Sequence, residues 1–263
     1  MPELVEVEYY RRLAEGAVGR TVVGVDVLDP LYLRAACSPS ELGRLVVGRR
    51  LSGVRRRGKR LFLDTAGPTL GLRFGMTGTL LLDGRPGVDR LLHSPASPSA
   101  RWERFRLRFE RGGALVVHDP RRLGGVEIDP DEGLLGPDAA GVTRDELRGA
   151  LGSATGRNGP PLKARLLDQS RLAGIGNLLA DEILWRAGLS PLRPSDGLSA
   201  TELGRLHRTV RAVVDDLVER GGSHTGDLMA HRLPDGCCPR EGTPLLRSVV
   251  GGRTTWWCPS HQR

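Results

Sequence analysis

The sequence predicts an α+β protein: one N-terminal helix leading an antiparallel β-sandwich over 1–133, a helical domain over 142–222, and a metal-bearing hairpin over 223–263. Three observations predict it. Up to about residue 133 the apolar residues fall in short, β-branched, often alternating runs, and from Thr143 onward they recur at helical spacing. A Gly- and Pro-rich stretch, 133–141, separates the two regimes as a linker. Three of the four cysteines, Cys237, Cys238 and Cys258, fall within the last 27 residues.

Taken in order, Leu4 to Val18 reads as a helix, with Leu4, Val7, Leu13 and Ala17 able to share a face and Gly19 as its stop. Short strands follow at 21–28, 59–65, 79–83, 104–110 and 114–119. In the fourth, Phe105, Leu107 and Phe109 alternate with Arg104, Arg106 and Arg108, the pattern of a half-buried strand with a basic outer face. Arg111-Gly112-Gly113 is the hairpin turn into the fifth. Helices are expected at 143–151, 162–168, 177–187 and 200–219, with Gly221-Gly222 ending the last.

Composition narrows the function classes. A net charge of +8 over 263 residues suits a polyanionic partner, because each neutralised phosphate releases a counterion. No apolar run approaches the ~20 residues of a membrane helix, and the acidic, amphipathic start is unlike a secretory signal. A soluble cytoplasmic protein is therefore expected. Cysteines clustered at one end beside a histidine read as a metal site rather than a disulfide framework. Cys37, in an apolar neighbourhood, reads as a buried small hydrophobe. Of the 39 basic residues only Lys59 and Lys163 are lysines, the cation that adapts its pKa where arginine cannot.

Four constellations carry chemistry. Pro2 and Glu3 suit a helix N-terminus and its dipole. Once Met1 is removed, Pro2 also offers a secondary amine that titrates near ~8 and is nucleophilic at neutral pH, with Glu3 beside it as acid or base. Arg55–Arg56–Arg57–Gly58–Lys59–Arg60 is either a solvated basic strand edge or a phosphate-gripping rim with Lys59 aimed into a site, and the rarity of lysine favours the second. Gly174 and Gly176 make a tight turn before a helix that starts at Asn177, with Asp181 and Glu182 expected in its first turn; exposed amides there suit a DNA phosphate. In the tail, Cys258-x2-His261 answers Cys238-x2-Glu241 across a 16-residue spacer, the register of a two-knuckle zinc hairpin. Cys238, Cys258 and His261 are three ligands; Cys237 is the nominated fourth and Glu241 the other candidate. Arg253 lies near the hairpin tip, within reach of a phosphate.

Together these motifs resemble the formamidopyrimidine-DNA glycosylase and endonuclease VIII family over essentially the whole chain. PELVEVE is close to its PELPEVE start, RRGKRLFLD to its lysine-bearing strand, GMTGTL to its methionine loop and HDPRRLGG to its DPRRFG loop. LLDQSRLAGIGNLLADEIL is similar to its helix–two-turn–helix signature, and the C-terminus to its zinc finger.

The resemblance implies a monomeric, bifunctional DNA glycosylase/AP lyase of base excision repair, working in the bacterial cytoplasm on double-stranded DNA with a damaged base or abasic site. It implies Pro2 as the Schiff-base nucleophile, Glu3 as its acid/base partner and Lys59 as a phosphate-binding catalytic lysine. Asn177 and Arg253 become the phosphate clamp, and Met76, Arg121 and Leu123 the side chains that fill the gap left by the flipped nucleotide. Lys163 falls near the lesion-side phosphate contacts, and one structural Zn2+ per chain is expected. The alternative is a non-catalytic zinc-bearing protein that binds damaged DNA on the same scaffold. This chain departs from the pattern at Leu123, where an aromatic wedge is usual, at Glu241, where a zinc cysteine is usual, and in a short stretch between Gly222 and Cys237. Oxidised pyrimidines, ring-opened purines and bulkier adducts all remain candidate lesions.

Overall fold

The computed structural model describes residues 2–34, 37–89, 91–92, 99–152 and 159–263. The chain parts into two compact units, 1–132 and 133–263.

The first unit opens on α1 (Leu4–Glu15), whose Val7, Tyr10 and Ala14 are buried. Its strands are β1 (Val22–Val27), β2 (Leu51–Arg57), β3 (Arg60–Thr65), β4 (Thr69–Arg73), β5 (Thr79–Leu82), β6 (Arg85–Pro86), β7 (Glu103–Phe109), β8 (Ala114–His118) and β9 (Gly125–Ile128), with α2 (Pro39–Val46) between β1 and β2. They form two antiparallel sheets, ordered β1-β7-β8-β5-β6 and β2-β3-β4-β9. Phe105, Leu107 and Phe109 of one sheet and Leu61, Leu63, Leu70 and Leu72 of the other enter one core with Tyr10 and Phe74. Full burial of each such side chain is worth about 1.5–3 kcal/mol. Strand β7 follows the alternation expected of it: its arginines reach solvent while every second residue is buried. The turn into β8 puts Arg111, Gly112 and Gly113 in the left-handed region. Cys37 is half-buried at the margin of this core rather than inside it.

The second unit carries α3 (Arg144–Leu151), α4 (Leu162–Leu167), α5 (Asn177–Ala187), α6 (Ala200–Glu219) and the hairpin β10 (Leu246–Val250)–β11 (Arg253–Trp257). Residues 133–141, read as a linker, are part of this unit: Leu135 and Ala139 are buried and the Gly136 N–H donates to the Gln169 carbonyl at 2.9 Å. The tail is likewise packed in, since Trp185 of α5, Leu228, Leu245, Trp256, Cys238 and Cys258 share one cluster. Asp181 and Glu182 lie beyond the first turn of α5 and are 2% and 3% exposed, so they serve side-chain networks rather than the helix dipole. Glu182 accepts from the Asp227 and Leu228 N–H groups, each at 3.0 Å, and from Arg186 Nε at 2.7 Å. That carboxylate pins the short stretch after Gly222, which folds into two 3-10 turns, Ser223–Thr225 and Met229–His231. Among the described residues no helix is long and apolar enough to cross a membrane.

Candidate functional site

In the first unit the N-terminal residues are held by the helix they start. Glu3 is the N-cap of α1 in a reciprocal capping box with Glu6: its backbone N–H donates to Glu6 Oε2 at 2.8 Å, and its own carboxylate accepts from the Glu6 N–H. Pro2 is buried, and Glu3 and Glu6 are 0% and 2% exposed, so two carboxyl groups flank the chain start inside the protein. The removal of Met1 falls outside the described residues.

Lys59 sits with Gly58 in the two-residue turn between β2 and β3, where Gly58 adopts a φ of 58°. Arg56 joins this turn to the N-terminal helix. Its Nη1 donates to the Gly58 carbonyl at 2.9 Å and its Nε to Glu8 Oε2 at 3.3 Å. Burial works against the Glu8 ion, but Arg11, Arg56 and Arg12 together hold its carboxyl below the usual range. The basic run is thus only partly a solvated edge, since one of its arginines ties the Lys59 hairpin to α1.

Met76, Arg121 and Leu123 lie on two adjoining loops. Arg121 Nη1 is 3.5 Å from Met76 Sδ, and Leu123 is 46% exposed. A Cβ on Gly75 would stand 2.6–2.8 Å from the backbone and Cβ of Leu123 and the Gly124 nitrogen, so the loops press together where no side chain fits. Sequence reading missed the residue that joins them, Asp119, whose carboxylate is fully buried.

In the second unit Asn177 opens α5, and its Oδ1 is buried with no hydrogen-bond partner. The preceding turn is stapled by Gln169, another residue the sequence did not single out. Its Nε2 donates to the carbonyls of Leu167 and Ile175 at 2.9 and 3.0 Å, and its Oε1 accepts from Gly174 N–H at 2.9 Å. Arg253 is exposed at the start of β11, immediately after Gly251-Gly252, whose φ values of 59° and 71° suit the two-residue hairpin turn.

Lys163 requires correction. It is 0% exposed, with Nζ 2.6 Å from Asp181 Oδ1, 2.8 Å from Thr255 Oγ1 and 3.2 Å from the Thr254 carbonyl. Asp181 also accepts from Arg232 Nη2 at 2.8 Å and the Trp256 N–H at 3.3 Å. The lysine therefore anchors the hairpin that carries Arg253 from within and does not face a phosphate. A buried ammonium leaves its acid partner only at great cost.

The metal-ligating side chains come together as Cys238, Cys258 and His261, with their donor atoms all within 4.8 Å of one another. Their surroundings fit a cation that prefers thiolate and imidazole. Trp185 Nε1 donates to Cys238 Sγ at 3.3 Å. Burial opposes the Cys258 thiolate, yet Thr243 Oγ1, 3.2 Å away, and the His261 and Ser260 amides bring its pKa down to about 7. His261 Nε2 donates to the Trp185 carbonyl at 3.1 Å, leaving Nδ1 bare and 3.7 Å from Cys238 Sγ. Bond lengths of ~2.0–2.3 Å put adjacent donors of a tetrahedral site about 3.5 Å apart, close to that spacing. The nominated fourth ligand, Cys237, lies outside the cluster; it is exposed, with its thiol 3.8 Å from the Asp235 carbonyl. Glu241 is outside that cluster too, but its Oε1 reaches to 4.0 Å from His261 Nδ1.

Comparison with known proteins agrees with this anatomy. Residues 1–126 match the family model of the formamidopyrimidine-DNA glycosylase N-terminal domain, and residues 135–228 that of the formamidopyrimidine-DNA glycosylase H2TH domain. The formamidopyrimidine-DNA glycosylase of Chloroflexus aggregans is 36% identical over 98% of both chains, and that of Thermus thermophilus 38% over 100% of this chain and 98% of its own. A crystal structure of LlFpg with a THF-DNA and an inhibitor superposes with a TM-score of 0.81 at 25% identity, covering both chains in full. The Lactococcus lactis protein in complex with FAPY-dG DNA, at 24% identity and a TM-score of 0.81 over 99% of this chain and 100% of its own, shares the fold.

Proposed function

Because this chain belongs to the formamidopyrimidine-DNA glycosylase family and is a DNA glycosylase of base excision repair, we propose that it both excises the damaged base and cuts the strand, with Pro2 as nucleophile. The observation that carries this reading is the buried chain start, where Pro2 adjoins a fully buried Glu3. Once Met1 is removed, the Pro2 amine and the Glu3 carboxyl would stand together inside the protein, and helix capping alone accounts for the carboxyl but not for a nucleophile beside it.

The damaged nucleotide leaves the stack at a cost of a few kcal/mol. Met76, Arg121 and Leu123 enter the vacated space, and Lys59, Asn177 and Arg253 bind the phosphates around it. The Pro2 nitrogen attacks the sugar C1′, the C1′–base bond breaks, and the base departs with a proton. The sugar opens to an iminium on Pro2, which acidifies the 2′ hydrogens. Loss of a 2′ proton expels the 3′ phosphate, and a further elimination expels the 5′ phosphate. Glu3 is placed to give and take the protons of these steps. The test is a labelled duplex with one ring-opened purine, incubated in the presence of chelated magnesium. The expected product is a one-nucleotide gap flanked by two phosphates; an intact abasic strand, cut only by hot alkali, would contradict the lyase.

The cluster supports zinc held by Cys238, Cys258 and His261, and the Glu241 carboxylate, 4.0 Å from His261 Nδ1, is taken as the fourth ligand in place of Cys237. The metal, when bound, supplies folding energy to the tail and holds the hairpin of Arg253. Cys237→Ser is expected to bind one zinc per chain with unchanged affinity, whereas Glu241→Ala weakens zinc by at least about tenfold. Chelator competition reads both, and the cobalt-loaded protein should show the charge-transfer intensity of two thiolates. Loss of affinity and intensity in Cys237→Ser would overturn this ligand set.

A further inference from the structure

We propose that Asp119 is a positioning residue for base extrusion, a buried hub that holds the Met76 and Arg121–Leu123 loops in one arrangement. This rests on the reading of those three side chains as gap fillers. Asp119 is 0% exposed, and its two oxygens together take donors from both loops. Oδ1 accepts from Thr77 Oγ1 at 2.7 Å, beside Met76, and from the Arg121 N–H at 3.3 Å. Oδ2 accepts from the Gly124 N–H at 2.7 Å, beside Leu123, and from Tyr32 Oη at 3.4 Å. Thr77 Oγ1 also takes the Arg121 N–H at 3.3 Å, so the two loops share this amide.

Further contacts close the frame around the hub. Arg34 donates to the Gly124 carbonyl from Nε at 3.0 Å and Nη2 at 2.8 Å. Arg122, held at a φ of 57°, pairs with Asp29 through Nη2 at 2.9 Å. The arginine between Arg121 and Leu123 is thereby turned away from them and spent on the protein. Gly124 leaves no room for a side chain, since a Cβ there would meet the Arg73 carbonyl at 2.2 Å and Tyr32 Oη at 2.4 Å. Burial and the Asp119 charge both push the Tyr32 hydroxyl well above its usual pKa, so it stays a donor to the carboxylate.

The chemistry explains why a carboxylate occupies this place. Four donors converge on it, and only an ionised, acceptor-only group satisfies them all. An amide of the same shape must turn its NH2 toward either the Arg121 N–H or the Gly124 N–H, donor against donor. The loop ends that bear Met76, Arg121 and Leu123 would then loosen, although none of those side chains has been changed. A gap-filling group has to occupy the space before the base falls back, so loosened loops slow extrusion while leaving the amine at Pro2 untouched.

The experiment is a double-mutant cycle on the full chain with Asp119→Asn, Arg121→Ala and their combination. Single-turnover excision is followed on a damaged-base duplex, and borohydride trapping on one abasic oligonucleotide, paired and unpaired. Asp119→Asn should slow duplex excision by about ten- to a hundred-fold, the range for losing charge-assisted bonds to a buried group. Its loss in trapping should be several times larger on the paired than on the unpaired strand, and the double variant should be little slower than the worse single. If Arg121→Ala alone leaves duplex excision unchanged, the gap-filling reading fails. If Arg121→Ala is slow but the two losses multiply, or Asp119→Asn loses paired and unpaired trapping alike, the hub inference is overturned.

Discussion

Replacing Pro2 with glycine is expected to lower both base excision and abasic cleavage by about a hundredfold or more. Glycine keeps a terminal amine, so the loss reports what proline adds. A secondary amine forms a permanently cationic iminium without first shedding a second proton. The pyrrolidine ring also locks rotation about the N–Cα bond, a freedom that glycine restores. Misplacing an attacking atom by about 1 Å costs on the order of 10²-fold, and each tenfold corresponds to about 1.4 kcal/mol of barrier. Single-turnover excision with the processed protein checks it, and an unchanged rate would remove Pro2 from the chemistry.

The second large effect is expected from Glu3→Gln. A positioned acid or base contributes about 10²–10⁴-fold, and glutamine can neither give nor accept a proton at this site. Glu3 also caps α1 through its reciprocal box with Glu6. Glutamine retains an acceptor oxygen of the same reach, so the cap persists. Excision should therefore fall by about 10²–10⁴-fold while the melting temperature moves by only a few degrees. Activity and melting temperature collapsing together would show that Glu3 serves the helix and not the reaction.

Much of this anatomy is legible before any coordinates. Helices α5 and α6 have the bounds that periodicity gives them, because each buries a long apolar set between strong stop signals. The sheet was harder to read. Strand β2 escapes the reading because its three consecutive arginines suggest a phosphate-gripping rim rather than a strand, although Arg56 is 9% exposed and gives its guanidinium to Glu8 and the Gly58 carbonyl. Strands β4 and β9 are short and interrupted or begun by glycine, which weakens any pattern. Helix α2 was missed despite a Ser38–Glu41 capping box that announces it.

Met76, Arg121 and Leu123 in the first unit, and Asn177 and Arg253 in the second, stand in local motifs, and each lies on a loop, helix start or hairpin turn. Lys163 misled because burial is invisible in sequence: Asp181 is 18 residues away and Thr255 is 92. Asp119 was visible only as part of a motif, since its meaning lies in Thr77, 42 residues earlier. Cys237, nominated for the open fourth place, is exposed, and of the two adjacent cysteines only Cys238 enters the cluster.

The most direct test of the central claim is borohydride trapping on an abasic duplex, with the covalent adduct located by mass spectrometry. The chain has few rival amines, since its only lysines are Lys59 and the buried Lys163. The account predicts one adduct per chain on a peptide that begins at Pro2, with Met1 absent. An adduct on Lys59, or none from correctly processed protein, would contradict it.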